Sequence, residues 1–583
     1  MPDVITDNID LWTSALLSKS TAGRGSNGKL EAYGIKKLRG LILELAVRGK
    51  LVPQEPNDRP ASEILNEIAA EKKQLVKEGK IQVPKPLPEI SVEEMNYSLP
   101  KGWEWVRFGT IAQHNSGKTL DSGRNTGQLR DYITTSNLYW GRFDLDNIRQ
   151  MQITDKEIEK CTAIKGDLLI CEGGEAGRAA VWPYDHDVCF QNHIHRARFY
   201  GELDPYYLYR FFEKLNATGE IDLHRKGVGI SNMSSKALAL IVLSLPPLAE
   251  QHRIVAKIDE LMALCDQLEQ QQTNNIEAHQ TLVETLLGTV TNVESQHELS
   301  EAWTRISNHF DTLFTTEQSI DQLKQTILQL AVMGKLVPQD PNDEPASVLL
   351  DKIAKEKKKL VKEGGIKKQK ELTEIVEDEK PFAVPIIWEF SYLQDLCELI
   401  TDGTHQTPTY TVEGRPFISA QCVKPFRFLP ENCRFVSEND YQDYIKSRKP
   451  EYRDVLLARV GAGIGEAALI DTDLEFAIYV STGLLKPFKD FILSEYLVLW
   501  LNSPDGRNNS EKSTYGKGVS QGNLNLSLIR SFVVSVPPLA EQHRIVAKVN
   551  ELMILCDTLK ARLADAQTTQ VHLADTIVEQ AVA

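Results

Sequence analysis

Apolar positions at alternating steps of four and three mark two long helices. In the first, Ile254, Ile258, Leu261, Cys265 and Leu268 form one seam; in the second, Ile545, Val549, Leu552, Cys556, Leu559 and Leu563 do. A seam of that period predicts a helix packed along another helix. Each seam follows a strand-like run, "IVLSL" at residues 241–245 and "FVVSV" at 532–536. Two prolines then end the strand, and a proline suits the first turn of a helix. The two stretches are nearly the same sequence: "PPLAEQHRIVAKIDELMALCDQLE" at 246–269 and "PPLAEQHRIVAKVNELMILCDTLK" at 537–560. A helix that only covers a core needs a pattern, not the same residues, so the identity points to one job done twice.

The repetition extends further. "LRGLILELAVRGKLVPQEPND" (38–58) returns as "LKQTILQLAVMGKLVPQDPND" (323–343), and "EKKQLVKEGKI" (71–81) as "EKKKLVKEGGI" (356–366). The chain therefore reads as two tandem copies of one unit, with a period far too long for a solenoid. A duplication of this size implies a pseudo-two-fold object with two equivalent surfaces. Each copy opens with helix, and Gly49 and Gly334 stand where a helix C-cap needs glycine. A linker is expected at 20–29 ("STAGRGSNGK"). Lysine-rich helices follow near 62–78 and 347–363, with Ser62 and Ser347 as N-caps.

From about Trp103 to Leu245, and again from Trp388 to Val536, the pattern changes to short β-rich runs with Gly, Asn and Asp turns. Two mixed α/β domains are expected there. They share landmarks: "GDLLICEGGEAGRAAV" (166–181) with "RDVLLARVGAGIGEAAL" (453–469), "KGVGISNMS" (226–234) with "KGVSQGNLN" (517–525), and a helix at 206–216 and 495–503. The expected division is 1–100 helical, 101–245 the first α/β domain, 246–384 central helical, 385–536 the second α/β domain, and 537–583 a C-terminal helix. The helical parts agree between copies and the α/β parts differ, as if each α/β domain reads something different.

Composition is that of an ordinary globular chain, 42% hydrophobic and 25% charged over 583 residues. No run is long and apolar enough for a bilayer, and "MPDVITDNIDLW" lacks the basic and apolar regions of a signal peptide. The eight cysteines are dispersed, without metal-ligand spacing, which fits a reducing cytoplasm and argues against structural zinc. The net charge of −15 still allows a nucleic-acid binder, because phosphate contacts need local basic surface only.

Catalytic motifs are weak. "AQHNSGKT" (112–119) fits a loose P-loop, but a turn-rich segment follows where a helix N-terminus is required. "GRGSNGKL" (23–30) lacks the hydroxyl for magnesium. "GAGIG" (461–465) reads as a turn between strands rather than a dinucleotide fingerprint. The Pro-Pro pairs are followed by Leu248 and Leu539, not by the aromatic that an adenine methyltransferase tetrapeptide carries. What remains is polar, basic and aromatic loop chemistry suited to base edges and phosphates. In the first domain the candidates are Arg124, Arg130, Tyr132, Asn137, Tyr139, Arg142, Asn192, His193, Arg196, Lys226 and Asn232. In the second they are Thr404, His405, Gln406, Gln421, Lys424, Arg459, Lys517 and Asn523, with Asp402, Gly403, Arg427 and Gln521 beside them.

The duplicated "PPLAEQHRIVAK" and "AVxGKLVPQ" blocks, their order, and "DGTHQTP" (402–408) resemble the specificity (S) subunits of Type I DNA restriction–modification systems over almost the whole chain. The first domain has "NSGKT" near the place of "DGTH". The resemblance implies two target-recognition domains, each reading half of a bipartite DNA site, and long helices paired as an antiparallel coiled coil that sets the spacing. A helix of about forty residues spans about 60 Å, roughly two turns of B-DNA. Ile254, Ile258, Leu261, Leu268, Ile545, Val549, Leu552 and Leu559 would then serve the coiled coil and subunit docking. It also implies a chain with no catalytic activity or cofactor of its own. Two methylation (M) subunits would dock on it, bring S-adenosylmethionine and flip adenines. Two restriction (R) subunits would bring ATP- and Mg-dependent translocation and cleavage. The competing readings are a self-sufficient DNA-modifying enzyme or NTPase using Ala112–Thr119, and a scaffold that never touches DNA.

Overall fold

The computed structural model describes residues 2–18, 30–119, 125–226, 231–293, 295–515 and 522–583. The chain divides into two compact units. The first holds the described residues up to Asn275 together with Gln567–Ala583; the second holds Ile276–Ala566. The expected long helices are present as Leu248–Asn292 and Leu539–Val582. Each supplies residues to both units, 248–275 and 567–583 to the first, 276–292 and 539–566 to the second.

In the first unit a four-stranded sheet runs in the order Ala179–Val181, Leu168–Cys171, Ile194–Phe199, Ala112–Ser116. Leu168–Cys171 is apolar throughout and wholly buried, as an interior strand covered on both faces should be. A second sheet runs Arg149–Ile153, Gln128–Ile133, Val188–Phe190, Thr162–Ala163. The helix Pro205–Thr218 covers the first sheet; Asp204 caps it through Tyr206 N, and Gly219 ends it at φ 79°.

The second unit repeats this path. Its four-stranded sheet runs Ala467–Leu469, Val455–Ala458, Thr482–Pro487, Cys397–Asp402. Beside it lie Arg434–Val436, Arg415–Ile418 and Ala477–Ile478, and the helix Ser494–Asn502 takes the covering position. In each unit a two-stranded ribbon joins the start of the α/β domain to the run before the long helix. Glu104–Arg107 pairs with Val242–Leu245, and Glu389–Tyr392 with Val533–Val536.

The near-identical "AEQHR" segments have a specific internal task. Glu250 accepts hydrogen bonds from Trp103 Nε1 (2.9 Å) and Gln54 Nε2 (2.6 Å), and Glu541 from Trp388 Nε1 (2.9 Å) and Gln339 Nε2 (2.6 Å). Gln251 accepts from Asp204 N and donates to Pro246 O; Gln542 accepts from Leu493 N and donates to Pro537 O. Arg253 and Arg544 pair with Asp58 and Asp343, each at 2.6 Å. The start of each long helix is thus clamped to the "GKLVPQ" segment and to the first tryptophan of its α/β domain.

The seams behave differently from expectation in one respect. Ile254, Ile258 and Leu261 are buried, and Leu268 packs half-buried, in the first unit's own core. Ile545 and Val549 are buried, and Leu552 and Leu559 half-buried, in the second unit's core. They are not free docking surface. The first seam does lie beside another helix, Tyr33–Val47, whose Arg39 reaches Asp266 (2.6 Å) and Glu269 (3.1 Å). In the second, Lys324 of Glu317–Val332 pairs with Asp557. Gly49 and Gly334 follow these helices at φ 66° and 71°, which only glycine adopts freely. Ser62 and Ser347 are not N-caps: the helices begin at Ala61 and Ala346 after prolines. The first amides, of Ala61 and Ala346, are met by Gly102 O and Ile387 O instead.

Candidate nucleic-acid interface

The two α/β domains carry their loops on one shared backbone plan. Gly117 and Gly403 follow equivalent edge strands and lie against equivalent neighbours. A Cβ at Gly117 would sit 2.1 Å from Phe190 O, and one at Gly403 2.0 Å from Ile478 O. Single parallel bridges follow at once, Lys118 with Gln191 and Thr404 with Tyr479. "NSGKT" therefore occupies the place of "TDGTH", although only the glycine and its approach to the neighbouring strand are common.

This geometry removes the P-loop reading. Ala112–Ser116 is an extended sheet strand paired along its length with Ile194–Phe199, where a P-loop needs a loop that wraps phosphate and opens a helix. Lys118 is committed to Glu157 at 2.6 Å, and that contact holds the Glu157 carboxyl down to about 2. The glycines of 461–465 form a turn between Val455–Ala458 and Ala467–Leu469, with Gly461 and Gly465 at φ 97° and 82°.

Five candidate side chains lie inside the domains, where they build the fold instead of facing a ligand. Tyr132 is in an apolar cluster with Met151, Ile153, Cys161 and Cys189. Asn137 staples a turn, accepting from Thr134 N and donating to Asp144 O, both at 3.0 Å. Arg196 is 2% exposed and donates to Glu159 O, Thr162 O and Asn115 Oδ1. Burial pushes its pKa down to about 10. Arg459 is 5% exposed; it donates to the Asp402 carboxylate, to Val480 O (3.0 Å) and to Leu524 O (2.9 Å). Thr404 is also buried, its hydroxyl accepting from Gln406 N at 3.2 Å.

The remaining candidates are accessible. Tyr139, Arg142, His193, Lys226 and Asn232 are exposed on the first domain, with Arg130 and Asn192 half-buried. His405, Gln406, Gln421 and Asn523 are exposed on the second, and Lys424 is half-buried. Gln421 donates to Asn432 O at 2.8 Å. Arg124, Lys517 and Gln521 lie outside the described residues.

In the second domain the structure draws some of these together. Asp402 receives Arg459 from below, and His405 Nε2 stands 3.2 Å from its Oδ2 on the open side. Arg448 donates to Asp402 O (2.9 Å) and Gly403 O (2.7 Å). The loop is thereby held from two sides while His405 and Gln406 face outward. Sequence reasoning missed Arg448, which lies far along the chain in no motif. At the position of Arg459 the first domain has Glu172. The backbone bonds match: Glu172 N to His193 O and Met233 N to Glu172 O, against Arg459 N to Ser481 O and Leu524 N to Arg459 O. The charge is reversed on an unchanged framework. Exposed imidazole and amide groups on a loop held in this way, those of His405 and Gln406, are suited to reading base edges and phosphates.

The family model described as Type I restriction modification DNA specificity domain matches residues 100–278 and 385–566. The chain is 38% identical to the specificity subunit of the Type I restriction enzyme EcoAI of Escherichia coli and 40% identical to that of EcoEI from the same organism. Each comparison covers 99% of both chains. A solved HsdS subunit from Thermoanaerobacter tengcongensis is 17% identical, with a TM-score of 0.42, covering 83% of this chain and 98% of that one. No helix among the described residues is long and apolar enough to cross a membrane.

Proposed function

Because this chain belongs to the specificity subunits of Type I restriction enzymes, we propose that its two α/β domains read the two halves of one bipartite, asymmetric DNA site. The observation that carries this is the exchange of exposed loop chemistry on a shared backbone plan: Tyr139, Arg142 and His193 are exposed on the first domain, and His405, Gln406 and Asn523 on the second. Such exchange is what two readers of different sequences need.

The long helices set the spacer by pairing as an antiparallel coiled coil. Two methylation subunits dock on the duplicated helical regions, bind S-adenosylmethionine and flip one adenine each. Two restriction subunits supply ATP-driven translocation and cleavage. The chain itself contributes no catalytic group and works in the cytoplasm. Since the seam residues are buried, docking falls to the exposed faces that the two copies share, such as those of His252 and His543.

The test is exchange and insertion in the full complex. Replacing residues 103–245 with the matching domain of a relative changes one half-site and leaves the other, as mapped by methylated adenines in host DNA. Adding a heptad within 270–286 lengthens the helix by about 10 Å, roughly three base pairs, and the spacer changes while both half-sites stay. A domain exchange that alters both half-sites, or neither, rejects the division of labour. An unchanged spacer rejects the helices as its measure.

A further inference from the structure

Each α/β domain projects a short hairpin. In the first domain Leu138–Tyr139 pairs with Arg142–Phe143; in the second, Val423–Lys424 pairs with Arg427–Phe428. The tips are pinned the same way, Gly141 N to Ala179 O at 3.0 Å and Phe426 N to Ala467 O at 2.9 Å. Both tip residues have left-handed backbone, Gly141 at φ 70° and Phe426 at φ 62°. A turn with Pro before this position ordinarily takes Gly or Asn there, because a Cβ is disfavoured.

One other described non-glycine residue has positive φ: Arg453, at 66°, in the place of Gly166 in the first domain. Its strain has an internal reason, since its guanidinium pairs with Glu495 at 2.6 Å. Phe426 has no such reason. It is 44% exposed and outside every buried apolar cluster. Cations flank it: Lys424, 3.5 Å from Glu466, and Arg427, exposed and unbonded through its side chain among the described residues. The first domain has glycine at this tip, and at the position of Lys424 it has Tyr139, whose ring is covered by Arg142 and Arg178 at 4.5 and 5.5 Å. Strain held on an exposed group with no internal partner marks a contact made with something outside the chain.

The geometry points to Phe426 as an apolar probe of DNA, its ring meeting the C5-methyl of a thymine in the major groove while Lys424 and Arg427 meet phosphates. This deepens the proposed recognition of DNA and rests on it. The partner is a base edge because a strained, solvated aromatic between two cations fits a polyanion that displays an isolated methyl group.

The experiment uses the full complex on its mapped site and on duplexes with each thymine of the second half-site replaced in turn by uracil. With wild type, one uracil lowers affinity roughly four- to tenfold. Phe426→Gly loses about the same factor on the thymine duplex and becomes indifferent to that uracil. Its thermal midpoint stays level or rises, because glycine accepts the left-handed turn. Arg427→Ala weakens all duplexes alike and reduces the salt slope by about one. Unchanged affinity in Phe426→Gly, equal losses at every uracil, or a fallen midpoint that reveals a packing role overturns the inference while leaving site recognition intact. A wild-type complex with no preference for its site would remove the recognition reading and this inference with it.

Discussion

The helix-start clamps and the domain loops, compared between the two units, follow opposite rules. At the clamps, Glu250, Gln251 and Arg253 reappear as Glu541, Gln542 and Arg544 with the same partners and nearly the same distances. At the loops, Glu172 becomes Arg459 with the backbone bonds kept. The difference lies in whether the partner is kept. A clamp residue has its partner inside the same unit, so any change leaves a buried polar group unmatched. Arg459 instead changed together with its own internal partner, Asp402, which stands where the first domain has Ser116. The near-identity of the helix starts is thus accounted for largely by internal bonding, and docking need not be invoked for those residues.

The largest expected effect tests the loop side. Arg459→Ala leaves Asp402 buried without its counter-charge, and breaking a buried pair in this way costs about 3–5 kcal/mol. Glu172→Ala removes a half-buried carboxylate whose nearest cationic candidate, His195 Nε2, is 4.0 Å away, and should cost under about 1 kcal/mol. Denaturant unfolding, with hydrogen exchange read over 401–406 and 523–526, measures both. Equal losses would show that this position does the same structural work in both domains. Arg459 would then be no example of exchanged chemistry.

The clamp side predicts equality. Glu250→Ala strands Trp103 Nε1 and Gln54, and Glu541→Ala strands Trp388 Nε1 and Gln339; each should cost about 1–3 kcal/mol. Burial raises both carboxyls above their ordinary range. A raised folded pKa stabilises below the unfolded pKa and is lost as pH rises through the folded one. The two variants should therefore fall closest to wild type at the alkaline end of the pH range. A difference of more than about 1 kcal/mol between them would break the symmetry of the two clamps.

Much of this architecture is legible in the sequence. The seams, the double prolines and Gly49 and Gly334 located the long helices and helix ends because each is a local signal with one physical cause. The α/β domains were legible as class but not as site. Arg196 and Arg459 look like surface arginines in sequence. Burial is decided by strand order, which brings Asn115 to Arg196 and Asp402 to Arg459 across long separations. Phe426 went unnoticed for a related reason: a positive φ at a phenylalanine is a property of the turn that holds it, and "KPFR" carries no sign of it beyond the proline. The seams misled in one way, since period reports that a face is covered and not by what; much of that cover is each unit's own core.

The smallest expected effect concerns the segment after the covering helix, where the two units differ in secondary structure. The first unit has the short turn Glu220–His224, the second the helix Pro504–Lys512. Asp505 Oδ2 is buried without a hydrogen-bond partner among the described residues, and burial pushes its carboxyl from 3.8 up to about 6. Between those values the folded chain keeps a proton that the unfolded chain has released. The stabilisation is complete below about 3.8 and lost as pH rises through about 6. His224 has the opposite sign: burial lowers its pKa below 6.5, so its contribution is present above 6.5 and lost as pH falls. Asp505→Asn should flatten the decline of stability towards neutral pH by on the order of 1 kcal/mol per pH unit at most. His224→Gln should instead flatten the decline on the acid side, by less than that. Tm against pH for the two variants and wild type gives both slopes. Deviations of the same sign would show that these segments do not respond to charge through burial, and that the contrast between the units stops at their loops.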